Sequence, residues 1–244
     1  MKIAILIPTY NESGNVKLLI KKISLATNSY NDIRFSVYII DDNSPDKTSE
    51  IVLAISKKIN RLFFKVNLLS KSKKEGLGKA YLFGFNYLLK NKSYDYILQM
   101  DADLSHNPEN IKDFLRASLD GYDFVVGSRY VKGGSLPKNW PWYRRYLSIF
   151  GNLYSQLILG KIISDYTGGF NMYSIKLIKK IDFTSLDVSG YGFLIGLKFY
   201  ASQKAHKIIQ IPIHFNDRSW GNSKMPLNTL LRNFIYVLKL KLNA

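Results

Sequence analysis

The chain has no cysteine. Disulfides, thiolate-bound zinc and a thiol nucleophile are therefore excluded, and the composition fits a reducing compartment. Histidine is scarce, at three residues, so imidazole is a minor resource for chemistry. No apolar run approaches the ~20 residues that a membrane-spanning helix needs. The longest candidate, Tyr146 to Ile163, is interrupted by Ser148, Gly151, Asn152, Ser155, Gln156 and Lys161. The opening segment Met1 to Pro8 is broken too soon for a signal peptide and reads as a buried strand. Membrane contact is accordingly expected to be peripheral. Acids are also few: 18 against 35 Lys and Arg, a formal net charge of +17. Such an excess favours nucleic acid, an anionic lipid surface or phosphorylated substrates as partners. A general richness in Lys, Asn and Ile accounts for part of the charge but not for where it clusters.

What is present supports a packed core, since 46% of the 244 residues are hydrophobic. Short apolar runs at Ile3–Ile7, Ser36–Ile40, Val66–Leu69, Tyr96–Met100 and Phe124–Val126 are predicted strands. Helical spacing falls between them at Val16–Ala26, Thr48–Ile59, Leu77–Leu89 and Ile111–Leu119. This alternation predicts an α/β fold, a mostly parallel sheet with helices on both faces. Ser44-Pro45 and Asn107-Pro108 look like helix starts, each a capping side chain before a proline. From Arg129 the character changes to a basic, aromatic loop around Trp140, Trp142, Arg144 and Arg145. A weakly amphipathic helix to about Ile163 follows, then a strand at Phe170–Tyr173. Helices near Ile175–Ile181 and Phe193–Gln203 precede a strand at Lys207–Ile213. The last segment, Leu227 to Leu242, reads as an amphipathic helix with Leu227, Leu230, Leu231, Phe234 and Leu238 on one face. No repeat, linker or low-complexity tract is present, so a single domain over 1–244 is expected.

The chemistry gathers at predicted strand ends, where open α/β sheets bind ligands. Asp101 and Asp103, with one residue between them, can aim carboxylates at a hydrated Mg²⁺ or Mn²⁺. Taken alone they are equally well read as turn and capping acids. Their company changes the balance. Pro8 to Glu12 ends the first strand and Asp41-Asp42-Asn43-Ser44 the second. Lys71, Lys73 and Lys74 precede Gly76-Leu77-Gly78, whose glycines let backbone approach a phosphate at a helix start.

Together Pro8-Thr9-Tyr10-Asn11-Glu12, Asp41 to Asp46, Gly76-Leu77-Gly78 and Asp101 to His106 resemble glycosyltransferase family 2. More narrowly, Gly127 to Tyr130, Gly133-Gly134, Trp140 to Arg145, Ser164 to Phe170 and Asp217 to Lys224 resemble the dolichyl-phosphate (polyprenyl-phosphate) mannosyltransferases. That resemblance covers nearly the whole chain. It implies a GT-A fold without a transmembrane span and an inverting transfer of mannose from GDP-mannose to a polyprenyl or dolichyl phosphate. A divalent cation, Mg²⁺ or Mn²⁺, is the implied cofactor. It divides the chain into a nucleotide-sugar half, 1–128, and an acceptor half, 129–244. Carried over by position, Pro8, Tyr10, Glu12, Asp42, Lys74, Gly78 and Ala102 would line the nucleotide sugar. Asp101 and Asp103 would hold metal, diphosphate and sugar, with Arg218 and Lys224 on the phosphates. Arg129, Arg144 and Arg145 would gather the acceptor phosphate. The implied setting is the cytosolic face of a membrane, with or without a small membrane-spanning subunit.

An acceptor phosphate is already anionic, so the reaction needs no general base. His106 is thus expected to orient its loop, and His206 and His214 to be structural or exposed. Three positions depart from the family pattern: Gly196 stands for a usual Glu, Ser105 for Gln in some members, and Lys79 for a small residue. Two other readings remain open: a UDP-glucose-type polyprenyl-phosphate transferase, and a non-catalytic relative, suggested by Gly196. Nucleic-acid binding fits poorly, because acids at successive strand ends repel a phosphate backbone.

Overall fold

Successive residues of a strand face opposite sides, and β1 (Lys2–Thr9) is apolar on both. Ile3, Ile5 and Ile7 enter one core while Ala4 and Leu6 enter another. A strand buried on both faces is the mark of a sheet covered by helices on each side. The computed structural model describes residues 1–91, 93–187, 190, 192–217 and 227–242.

After β1 come α1 (Ser13–Ala26), β2 (Arg34–Asp41), α2 (Thr48–Ile59), β3 (Phe64–Ser70), α3 (Leu77–Asn91) and β4 (Tyr96–Gln99). The chain continues through α4 (Ile111–Leu119), β5 (Phe124–Ser128), α5 (Trp142–Leu159), β6 (Asn171–Ser174) and α6 (Ile175–Ile178). It closes with α7 (Gly192–Lys204), β7 (Ile208–Pro212) and α8 (Leu227–Leu242). The seven strands form one sheet in the order β3-β2-β1-β4-β6-β5-β7. Neighbours run parallel except β6, which is antiparallel to both β4 and β5. The mostly parallel sheet expected from the alternation is therefore present, with β6 as its single reversed strand.

Val16, Leu19 and Ile20 of α1, Val52 of α2 and Phe114 of α4 cover one face. Tyr81 and Phe85 of α3, Phe193 and Leu197 of α7, and Tyr236 and Val237 of α8 cover the other. Side chains of α8 turn differently from the expected face. Tyr236, Val237 and Leu240 point inward, while Leu231 and Leu238 are exposed. Leu227 and Leu230 lie outside the described side chains. Phe234 packs on Tyr154 and Phe150 of α5, at centroid distances of 4.8 and 5.9 Å.

Of two expected helix starts, one changes. Asn107 caps as expected, accepting from Glu109 N–H at 3.1 Å. Ser44 does not cap α2, because the chain first turns through Lys47 in a left-handed conformation (φ 66°). Asp46 instead accepts from Thr48 N–H at 3.1 Å and, with its other oxygen, from Ser13 N–H at 3.0 Å. One carboxylate thus joins the starts of α1 and α2.

The sheet is closely packed where β5 passes β6. A Cβ added to Gly127 would lie 2.8 Å from the Phe170 carbonyl oxygen and 3.1 Å from Phe114 Cζ. Backbone cannot yield as a side chain can, so Gly127→Ala is expected to destabilise the fold by about 1–3 kcal/mol. An unchanged midpoint in urea denaturation would show that this contact relaxes freely.

Candidate active site

Parallel strands release their C-terminal ends on one side of a sheet, and the acids follow those ends. Asp41, the last residue of β2, is buried and accepts from Thr9 Oγ1 (3.1 Å), Ser44 Oγ (2.6 Å), Ser44 N (3.1 Å) and Ser49 Oγ (2.8 Å). Its work is to shape the crossover. Asp42 accepts from Lys71 Nζ at 2.8 Å, from Glu75 N at 2.9 and 3.0 Å, and from Gly76 N at 2.6 Å. Sequence alone placed Asp42 on the nucleoside. The structure shows it building the 71–76 loop that delivers the start of α3. There Gly76 has φ +93°, a conformation that suits glycine, and Gly78 is buried one turn on. Lys74 Nζ sits 3.9 Å from the Tyr10 ring centroid, a cation–π contact that brings two predicted nucleotide-site residues together. Glu12 lies beside them and accepts from Asn15 Nδ2 at 2.7 Å. Pro8 is partly buried near the end of β1. Lys79 is exposed and paired with Glu75 at 3.2 Å.

Beyond β4, Asp101 and Asp103 stand on a tight turn with buried Ala102 between them. Leu104 takes φ +64°, an uncommon conformation for a side chain of its size. Asp103 Oδ1 accepts from Ser105 N at 3.1 Å, and Asp101 N donates to His106 Nδ1 at 3.1 Å. That bond leaves the ring proton on Nε2, which lies 3.8 Å from Asp101 Oδ2. Burial lowers the His106 pKa to about 3, so the ring is neutral and orients the turn as expected. His206 and His214 are exposed. The Tyr81 hydroxyl, from α3, donates to the Met100 carbonyl just before this turn at 3.4 Å. Among the described residues no cluster of three His or acidic side chains converges on one point. Two carboxylates nonetheless fit a hard divalent cation that keeps waters and shares a substrate diphosphate. The Asp101 side chain is 30% exposed, open enough to share such an ion.

Arg129, just past β5, is 8% exposed. Its Nε and one Nη donate to the two oxygens of Asp165 at 2.7 and 2.8 Å, and its main-chain N–H adds a 3.1 Å bond. The same Nη reaches Thr167 Oγ1 at 2.7 Å. Burial acts to raise the Asp165 pKa, but the adjacent guanidinium outweighs it and holds the carboxyl well below its usual range. Arg129, which the resemblance places at the acceptor phosphate, is thus paired with Asp165 inside the protein.

Trp140, in the basic, aromatic loop, is buried at 8% exposure. Its Nε1 donates to Asp217 at 3.1 Å, and the Arg144 guanidinium stacks 3.9 Å from its ring centroid and 3.5 Å from Asp217. Arg145, next in sequence, is exposed. Phe215 joins the parts: it contacts the His106 ring at 5.3 Å, the Trp140 ring at 5.8 Å and the Arg129 guanidinium at 5.3 Å. Arg218 and Lys224 lie outside the described residues.

Sequence reasoning assigned no part to Asp165, Phe215 or Lys198. Asp165 lies within a quoted motif, and Lys198 was detectable as a charge inside an apolar run. Phe215 carried no signal, since an aromatic after a strand is ordinary. The Gly196 departure has a packing counterpart, because a Cβ there would collide with the Tyr236 hydroxyl. That hydroxyl instead accepts from Asp187 N at 3.0 Å.

Residues 4–182 match the glycosyl transferase family 2 profile. The polyprenol monophosphomannose synthase of Mycolicibacterium smegmatis is 37% identical over 225 residues, spanning 91% of this chain and 80% of that protein. The dolichol-phosphate mannosyltransferase of Pyrococcus furiosus is 32% identical over 242 residues, spanning 98% of this chain and 64% of that one. Among solved structures, glucosyl-3-phosphoglycerate synthase of Mycobacterium tuberculosis, in complex with Mg²⁺ and UDP, superposes with a TM-score of 0.66. That match covers 99% of this chain and 78% of the other at 20% identity, which speaks for the fold alone. Extent of match, level of identity and the GT-A arrangement of the sheet agree: the chain is a glycosyltransferase and belongs to glycosyl transferase family 2.

Proposed function

We propose that the protein transfers mannose from GDP-mannose to the phosphate of a polyprenyl or dolichyl lipid, with inversion. The observation that carries this reading is the juxtaposition, on one side of the sheet, of the Asp101–Asp103 turn with the cations Arg129 and Arg144 around Phe215. Kinship to two enzymes named for polyprenol and dolichol phosphate supports the acceptor class.

In this reading Tyr10, Glu12 and Lys74 bind the nucleotide, on a loop that Asp42 shapes. Asp101 and Asp103 would hold Mg²⁺ or Mn²⁺, which when bound neutralises the diphosphate leaving group. The chain itself need move no proton, because the acceptor phosphate is anionic and His106 is neutral and internally engaged. Its task is to position two repelling anions. Arg144, anchored by Trp140 and Asp217, is the arginine best placed to meet the acceptor phosphate. Arg129 sets the loop and the local potential through Asp165.

Two adjacent helices supply a surface for the lipid. On α5, Trp142, Tyr146, Phe150, Leu153 and Leu157 recur at helical spacing, each about half exposed or more. On α8, Leu231, Ile235, Leu238 and Leu242 form a similar stripe, with Arg232, Lys239 and Lys241 exposed beside it. Among the described residues no helix is long and apolar enough to cross a membrane. In this reading the two stripes take a shallow seat at the headgroup level of the cytosolic leaflet.

The direct test is transfer of labelled sugar to a short polyprenyl phosphate with Mg²⁺ or Mn²⁺. GDP-mannose should serve, and Asp103→Ala should abolish turnover without unfolding. Use of UDP-glucose with GDP-mannose ignored would overturn the donor assignment. For the ion pair, Arg129→Met should cost about 3–5 kcal/mol of stability, because it strands a buried carboxylate. Adding Asp165→Leu should restore much of that stability but not the activity. Recovery of both would make the pair purely structural. On anionic liposomes, flotation should fall with salt and with Leu231→Ser/Ile235→Ser/Leu238→Ser; unchanged flotation would remove α8 from the membrane face.

A further inference from the structure

Between Gly192 and Phe199 every residue of α7 is buried, and all are apolar but one. Lys198 is 0% exposed. Its Nζ donates to the Asp165 main-chain carbonyl at 2.6 Å. Withdrawing an ammonium from water costs several kcal/mol, and a well-packed apolar residue of similar volume often serves stability as well or better. Packing alone therefore gives no reason for a lysine here.

Its surroundings give one. Arg129 grips Asp165 by the side chain while Lys198 grips it by the main chain. Asp165 Oδ1 in turn accepts from Gly168 N–H at 2.8 Å, and Asn171 Nδ2 donates to the Gly168 carbonyl at 3.1 Å. The next residue, Gly169, runs so close to the acidic turn that an added Cβ would sit 2.9 Å from Asp101 Oδ1. Asp165 thus stands at the root of a loop that forms one wall of the Asp101 seat. Burial lowers the Lys198 pKa to about 7, opposed chiefly by the Asp165 charge, with Asp101 adding to it.

We infer that Lys198 is a positioning residue for glycosyl transfer. It holds the 164–170 loop from behind so that the loop backbone fixes the Asp101 carboxylate for metal and diphosphate. The inference rests on the function proposed above.

The test compares Lys198→Met with Lys198→Arg, which keeps a donor and a charge. Lys198→Met should keep or raise the thermal midpoint while kcat falls roughly tenfold to a hundredfold, the scale of an ångström-level misplacement. KM for GDP-mannose should change far less than kcat. Lys198→Arg should recover part of kcat. A readout apart from turnover is calorimetric binding of Mn²⁺ with GDP, which should weaken severalfold in Lys198→Met and less in Lys198→Arg. If the wild type fails to use GDP-mannose, the function above falls, and Mn²⁺–GDP binding alone decides the place of Lys198. Wild-type kcat and Mn²⁺–GDP affinity in a folded Lys198→Met would overturn the inference. Losses that merely track a lowered thermal midpoint would do the same. Should Lys198→Met not fold, Lys198→Leu removes the donor with less volume to place; loss of fold in all three variants would assign the lysine to stability alone.

Discussion

A guanidinium and a carboxylate taken out of water together each lose several kcal/mol of hydration, and recover it only when their geometry is close to ideal. Arg129 and Asp165 satisfy that condition with two side-chain bonds below 2.9 Å and a third from the main chain. The pair ties the end of β5 to the loop before β6, the reversed strand inserted between β4 and β5. That insertion sets the acidic turn after β4 beside the basic loop after β5. The pair reinforces the relation that the β4–β6–β5 pairing and Phe215 already impose on the two loops.

Around this fixed point the remaining acids and bases divide their labour. Asp41, Asp42 and Asp46 are mostly engaged with the protein's own N–H, hydroxyl and ammonium groups, and they give the strand-end loops their shape. Asp101 and Asp103 retain partial exposure at the C-terminal end of β4. The cations divide in the same way. Lys71, Arg129 and Lys198 are internal, whereas Lys74 and Arg144 lie on aromatic faces that keep long side chains in place near solvent. The net charge of +17 is thus not uniform in its setting, since part of it is neutralised inside the fold.

The aromatic loop before α5 shows a similar division. Trp140 and Trp142 are two residues apart, yet one is 8% and the other 73% exposed. Trp140 precedes α5 and turns inward to bond Asp217, while Trp142 opens α5 on its outer side. Position in sequence gave both the same apolar and basic neighbourhood. Only the start of the helix between them separates a buried ring from an exposed one.

Much of this architecture was legible in the chain itself. Short apolar runs located the strands within a residue or two, because burial on both faces leaves a continuous apolar signal in the chain. Family-like motifs named Asp101, Asp103 and Arg129 as important without saying what each touches. What the sequence could not decide was partnership between distant residues: Asp165 with Arg129, Phe215 among three site residues, Lys198 behind the loop, and Tyr236 filling the space beside Gly196. A fully buried helix such as α7 has no polar face to report its orientation, so its one lysine reads like any other until the helix is docked. The sequence alone determined the order of elements and the kind of chemistry. Tertiary packing decided which charges are neutralised inside and which remain for the ligand, since desolvation and Coulomb attraction depend on separations in space that the chain order does not contain.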